Sequence, residues 1–492
     1  MLFISTRGGR PVNSLDALVR GLSDTGGIYV PECPPHPIAF SQLRCLPAEM
    51  VMAVFFNRFI PDFSVDEWRV MTRDALSSLA EGGEPFKIPF STVNDYLPGH
   101  YVLAGDTLPT GTLNDFCAAV MRQAIPRAVK KRGRDLRPFV IALGSDDFTI
   151  AALRSFRGSA VVPALALISA KSERCGEASA LKPEGWTLCS YDAREEEMFS
   201  ELARIASDSA FDKALSAAGY EPVFLADAHP LRALAAGALA AASLVELDRA
   251  AGGIGQEGVD FVVARNDLVF LTGLVYASSV SLPVACVYIG EGESHALSSL
   301  LSQGELTLPG ERKGRDHGRE PRLPVNFEVL LFEIMGRNHQ RLSEKIAGLE
   351  RNRSLCLSPE ETDLLRQSLI VSGCDFKRCQ HVILSIYDQW DYLVDRGTAE
   401  AVACWASHRS ECAKRMTCFI AERSPLLDYY ICARSVFGHK EGNNPRKDAV
   451  QKLSDEAAVA MWTSLCRSFD RPADPIAPLT VPVRDMALNL LR

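Results

Sequence analysis

Residues 138–143 read Pro-Phe-Val-Ile-Ala-Leu, and residues 160–168 read Ala-Val-Val-Pro-Ala-Leu-Ala-Leu-Ile. Both are short apolar runs with β-branched residues. A strand covered on both faces reads this way, because it has no water-facing side to keep polar. Between them, residues 150–156 have helical composition. Strand, helix, strand is the unit of a parallel sheet, since parallel neighbours need a crossover connection. The alternation repeats downstream, where apolar runs at 259–264 (VDFVVA) and 283–289 (PVACVYI) interleave with helical segments at 232–247 and 270–279. A further helical segment, 115–131, precedes the first strand. The predicted fold class is α/β, with open, mostly parallel sheets and helices on both faces. Ligands on such sheets lie beyond the C-terminal strand ends, which singles out the loops at 144–149 and 265–268.

The chain has 492 residues, more than one ordinary core holds, so two or three domains are expected. Hydrophobic residues at 47% and charged residues at 23% exclude long disorder and fibrous architecture. A net charge of −8 gives no electrostatic basis for nucleic acid or for an acidic membrane surface as partner. The most apolar stretch, 232–247, is Ala-rich, starts with Arg232 and reaches Glu246, and reads as a buried helix rather than a span. The opening residues MLFISTRG resemble neither a secretory signal nor a transit peptide. Fourteen cysteines in so long a chain make no disulfide framework. A cytoplasmic location with reduced thiols is the expectation.

Three polar stretches punctuate the chain: 81–89 (EGGEPFKIP) after a helical segment at 65–80, 309–324, and 438–446. Gly253, Gly255 and Gly258 match G-x-G-x-x-G, but a helix precedes them and a strand follows. A dinucleotide site needs the reverse order, so this is a helix stop and turn. Cys404, His408 and Cys412 lie on one helical face, with the outer two about 12 Å apart, too far to share a metal. Cys374 and Cys379 have no second pair at zinc spacing. The basic run 129–137 lacks interleaved aromatics and follows a helix, where Lys130, Lys131 and Arg132 suit the negative end of the dipole.

One further pattern is an ordered set of short motifs. Ser5-Thr6-Arg7-Gly8 is followed by Gly21-Leu22 and by Gly26-Gly27-Ile28-Tyr29-Val30-Pro31. Next come Pro109-Thr110 with Asp115-Phe116, then Ser145 and Asp147 with Ala151-Ala152 and Phe156-Arg157-Gly158. Asn266 with Gly273, Tyr276-Ala277 and Leu282-Pro283, then 324–333 (PVNFEVLLFE), and Asp395 with Thr398-Ala399 complete the series. Together they resemble the threonine synthases, with the expected spacing over nearly the whole chain. The resemblance implies the fold type II of pyridoxal-phosphate enzymes, like the tryptophan synthase β subunit, with an extra N-terminal domain. It divides the chain into 1–95, an α/β core at 96–330 with the cofactor and substrate loops, and 331–492 completing the large α/β domain. Members convert O-phosphohomoserine to threonine and phosphate. A lysine forms the Schiff base, a Gly-rich loop holds the cofactor phosphate, and a polar side chain partners the pyridine nitrogen.

At those positions this chain departs from the family. The Schiff-base lysine aligns with Asn114, and an amide forms no imine. The phosphate-loop glycines align with Arg265 and Leu268, flanking Asn266 and Asp267, and two more glycines align with Asp146 and Thr149. In the substrate segment Arg232 is kept, while Ala226-Asp227 and His229 replace polar family residues. The Thr at the pyridine nitrogen aligns within Glu422-Arg423-Ser424-Pro425, and Glu422 stands in that neighbourhood. The favoured reading is a threonine synthase-like protein with no catalytic residue and no bound pyridoxal phosphate, kept as a binding or interaction module. The alternative is an active threonine synthase or related lyase that does use pyridoxal phosphate. Carboxylates added at Asp106, Asp146 and Asp267, against one added cation at Arg265, lead us to expect a neutral or cationic ligand, or a protein partner the sequence does not identify.

Overall fold

The apolar runs are strands. The computed structural model describes residues 1–80, 88–93, 99–143, 146–159, 164–169, 172, 174–191, 195–266, 268–293, 295–308, 323–408, 415–437, 476–477, 484 and 488. In chain order the strands are β1 (Leu2–Ser5), β2 (Val12–Asn13), β3 (Tyr29–Pro31), β4 (Phe90–Thr92), β5 (His100–Ala104) and β6 (Arg137–Ala142). They continue with β7 (Ala164–Ser169), β8 (Trp186–Tyr191), β9 (Tyr220–Leu225), β10 (Val259–Val263) and β11 (Val284–Glu291). The last are β12 (Glu305–Thr307), β13 (Ser354–Cys356), β14 (Leu369–Gly373), β15 (Met416–Ala421) and β16 (Ile476–Ala477).

Two sheets carry the molecule. One has the order β14-β11-β10-β15-β5-β4, and the other β16-β8-β7-β6-β9. Every pairing in them is parallel except that of β4 with β5. The α/β expectation with mostly parallel sheets is borne out. Strand β9 (YEPVFL) was invisible to a search for uninterrupted apolar runs because it contains Glu221 and Pro222. It is the edge strand of its sheet, and an edge tolerates a residue that cannot donate to the ladder.

The segment expected to be a buried helix forms Pro230–Ala251. It is long and apolar enough to cross a membrane, but 94% of its apolar window is buried within the fold. It packs on the helices Ala48–Phe59, Asn114–Lys131 and Val269–Ser279. Gly237 and Gly273 let two of these helices touch at the backbone, since a Cβ on Gly273 would fall 2.5 Å from the Gly237 nitrogen. The helix stops at Gly252 in the left-handed conformation, and β10 begins at Val259. The glycine triplet is therefore the turn its order implied. The polar stretches 309–322 and 438–446 lie outside the described residues.

The best-kept motifs form a structural knot. Thr6 accepts the Ile28 N–H at 2.8 Å and donates its hydroxyl to Glu328. Arg7 grips the same carboxylate through Nε at 3.2 Å and Nη2 at 2.8 Å. The forked guanidinium fits a carboxylate side-on, so it fixes orientation as well as charge. It ties the opening residues to the helix Phe327–Ile334.

Candidate functional site

Strands β6, β9, β10 and β15 deliver their C-terminal ends to one region. Beyond β6 the chain enters the helix Asp146–Ser155 rather than continuing as a loop to residue 149. Acidic residues suit the positive N-terminal end of a helix, and Asp146-Asp147 stand there. Beyond β9 lie Ala226 to Arg232, beyond β10 lie Arg265, Asn266 and Leu268, and beyond β15 lies Glu422. Residues 111 and 113 meet 424 and 422 through backbone bonds, Ser424 N–H to the Gly111 carbonyl at 2.7 Å and Leu113 N–H to the Glu422 carbonyl at 3.0 Å. That stitch brings Asn114, at the start of its helix, beside the β15 loop. Ser145 and Asp267 lie outside the described residues, as does the side chain of Asp146.

Arg232 is fully buried and holds this region together. Its Nη1 donates to the Asp227 carboxylate at 2.8 Å and to the Asp227 carbonyl at 3.0 Å. Its Nη2 donates to Asn114 Oδ1 at 2.5 Å. The guanidinium carbon lies 4.2 Å from the centre of the Phe148 ring, within cation–π range. Asn114 is thus a hydrogen-bond acceptor for an arginine.

Asp147 joins two arginines that sequence reading did not single out as site residues. Arg174 meets it at 2.6 Å and Arg423 at 2.7 Å. Arg174 also pairs with Glu177 at 2.8 Å, and Arg423 with Asp428 at 2.9 Å. Burial disfavours both charges, but the surrounding carboxylates offset it and push both pKa values up. Asp395 caps the helix Arg396–Ser407. Its own pKa is raised to about 7, first by burial and then by Asp428. Asp115 accepts the Thr110 N–H at 2.6 Å, and burial raises it to about 6. Asp106 is also raised to about 6 by burial, against the lowering effect of the Tyr392 hydroxyl at 2.7 Å.

At the β10 loop, Arg265 is drawn toward Glu291, with Nε 3.7 Å from the carboxylate. That carboxylate accepts the Leu297 and Ser298 N–H groups at 2.8 and 2.9 Å, so it occupies the N-terminus of the helix Ala296–Gln303. Asn266 donates to Glu422 at 2.9 Å. Leu268 has φ +56° and is buried. This left-handed geometry, which a glycine adopts freely, is held here by a branched side chain, which strains it.

His229 is the N-cap of the Pro230–Ala251 helix, and its Nδ1 accepts the Leu231 N–H at 3.1 Å. The ring lies against Gly21, where a Cβ would come within 2.5 Å of His229 Cδ2. Burial lowers its pKa to about 3, although the nearby Leu18 backbone favours the charged ring. The unfolded chain takes up a proton near 6.5 that the folded chain refuses until about pH 3, so stability falls as pH drops below 6.5. The expected loss from this group is about 2 kcal/mol by pH 5. Asp106, Asp115 and Asp395 act in the opposite sense, since their raised values favour protonation of the folded chain. His229→Asn keeps a capping acceptor and removes the titration. Denaturant unfolding of both proteins at pH 7 and pH 5 checks this, because the carboxylate contribution drops out of the difference. An equal pH response in the two proteins would contradict it.

No group of His, Cys, Asp and Glu among the described residues is arranged to hold a metal ion. The His408 ring bonds the Cys404 carbonyl at 2.9 Å, and Cys412 lies outside the described residues. Cys374 precedes the N-cap of the helix Phe376–Trp390, and Cys379 is four residues after that cap, where side chains pack together as a staple.

No family model matches the chain. Threonine synthase of Pseudomonas aeruginosa is 23% identical over 432 residues, covering 82% of this chain and 83% of the relative. The pyridoxal-phosphate-bound threonine synthase of Brucella melitensis superposes with a TM-score of 0.79 at 18% identity, covering 100% of both chains. Yeast threonine synthase superposes with a TM-score of 0.78 at 14% identity, covering 99% of this chain and 97% of its own. The fold of these threonine synthases is matched over essentially the whole chain, and the sequence likeness covers 82% of it.

Proposed function

We propose that this chain, which has the fold type II architecture of the threonine synthases from end to end, is a catalytically silent relative kept as a cytoplasmic binding or interaction module. The carrying observation is the 2.5 Å bond from Arg232 to Asn114 Oδ1, at the position where the family's chemistry needs an amine.

The described residues do not fit pyridoxal phosphate. A Schiff base requires a lysine nitrogen, and Asn114 offers an amide already engaged. A phosphate cradle requires free N–H groups on backbone that can approach closely. Here the β10 loop carries the Arg265 and Leu268 side chains, and Leu268 holds φ +56° with a branched side chain where close backbone approach needs none. The likeness to a cofactor-bound enzyme favours the second reading, a lyase using a lysine from elsewhere in the fold. Among the described residues, Lys130, Lys131, Lys182, Lys213 and Lys377 are exposed and Lys345 donates to the Cys356 carbonyl; Lys87, Lys171, Lys313, Lys414, Lys440, Lys447 and Lys452 lie outside them.

Around the cleft, Asp106, Asp115, Asp147, Asp227, Glu291 and Glu422 stand against Arg174, Arg232, Arg265 and Arg423. An occupant of this cleft is accordingly neutral or cationic, since a phosphate dianion a few ångströms from such carboxylates is repelled. Mixing the purified protein with pyridoxal phosphate is expected to produce no visible aldimine band. Borohydride reduction followed by mass spectrometry is expected to find no modified lysine in the cleft. A mapped adduct there would establish the second reading.

A further inference from the structure

A second cavity lies at the opposite edge of the six-stranded sheet. It has a volume of about 300 Å³. It opens between the start of β11 at Val284 and Ala285, the start of β14 at Leu369, and the C-terminal half of the helix Val269–Ser279. The cleft groups described above stand at the C-terminal strand ends and contribute nothing to its lining. That volume and mostly apolar walls match the small end of ligand sites, in which a few polar groups set orientation.

Besides Ser278, Ser279 and Ser368, the polar residues in the wall are Tyr276, Glu333 and Arg337. Arg337 and Glu333 pair with each other, and Arg337 also donates to the Pro31 carbonyl. Their charges cancel locally, so the wall offers no net attraction to an ion. Tyr276 differs. It is 4% exposed and its ring packs 5.4 Å from that of Phe59. Among the described residues its hydroxyl makes no hydrogen bond; burial, and then the field of Glu333, push its pKa up. A buried tyrosine hydroxyl ordinarily has a partner. Here the open side is the cavity.

We propose that this cavity is a binding site for a small, uncharged, largely aromatic or aliphatic molecule carrying one hydrogen-bonding oxygen, which pairs with the Tyr276 hydroxyl. The site stands on the cavity alone and does not depend on the reading of the cleft.

Calorimetry on the full chain with naphthalene, 1-naphthol and 1-naphthoate tests this with one ring system and three polar ends. The expected result is saturable 1-naphthol binding with a dissociation constant at or below about 100 µM. Naphthalene binds about fivefold more weakly, the net worth of one hydrogen bond. The naphthoate anion gains nothing over naphthalene. Tyr276→Phe keeps the ring packing and is expected to weaken 1-naphthol about fivefold while leaving naphthalene unchanged. Ala285→Phe fills the space and is expected to abolish binding of both. A ligand-induced rise in the thermal midpoint of the unmodified protein reports the same binding without any variant. No saturable binding, or a 1-naphthol preference that survives Tyr276→Phe, would overturn the proposal.

Discussion

Arg232→Met is expected to destabilise the protein by about 3–5 kcal/mol, the range for removing one partner of a buried ion pair. The guanidinium is fully buried and bonds Asp227 twice and Asn114 once. Methionine replaces much of the aliphatic stem but leaves the Asp227 carboxylate, itself 4% exposed, without its arginine. The double variant Arg232→Met, Asp227→Leu is expected to recover most of the loss, because an apolar pair of similar volume commonly replaces a buried ion pair without penalty. Denaturant midpoints for the two single variants and the double variant give the coupling energy. The measurement bears on function as well. A residue held for catalysis is usually neutral or unfavourable for stability. If Arg232→Met leaves the midpoint unchanged, Arg232 is not a structural keystone and the silent-enzyme reading loses its main support.

Asn114→Lys is expected to restore no threonine formation from O-phosphohomoserine and to lower stability by about 2 kcal/mol. The substitution places an ammonium where Asn114 Oδ1 now lies 2.5 Å from the Arg232 guanidinium. Two like charges about 4 Å apart repel by about 4 kcal/mol at an effective dielectric of 20. Asn114 is only part-buried, so the longer side chain relieves some of that by turning toward solvent. The Lys pKa is also driven down, since a neighbouring cation disfavours its charged form. Even a neutral amine would face the Arg265, Leu268 and Glu422 positions unchanged, and a reactive group works only when the rest of the site holds its partner in register. Amino-acid analysis of a reaction containing pyridoxal phosphate reads the activity, and a thermal melt reads the stability. Threonine accumulating well above the unmodified protein would show that the loop positions matter little.

The sequence was most legible where the family's motifs are short and contiguous. Asn114, Arg265 and Leu268 were set against family positions through their flanking residues, and Leu268 has the positive φ that glycine favours. What could not be read is who meets whom. Arg174 and Arg423 reach Asp147 across 27 and 276 residues, and Glu422 reaches Asn266 across 156. No local pattern of charge announces a pairing that only the fold creates. His229 was read beside Arg232 as a substrate-segment position. The fold turns its ring toward Leu18 and Gly21, a contact that Gly21 permits and that nothing near residue 229 signals. Strand β8 (WTLCSY) is hard to read because Thr187 and Ser190 interrupt its apolar character, and β5 (HYVLA) because its apolar run is only a few residues long.

The pairing of β5 with β15 joins residues 100–104 to 417–421. On the ribosome, at about 5–20 residues per second, β15 is made about 15 to 60 s after β5. Throughout that interval one long edge of β5 has no strand to complete it. The Arg7 fork waits as long for Glu328. Nascent chains of this protein therefore display unpaired strand edges for tens of seconds, the kind of exposure that makes an incomplete fold prone to aggregate.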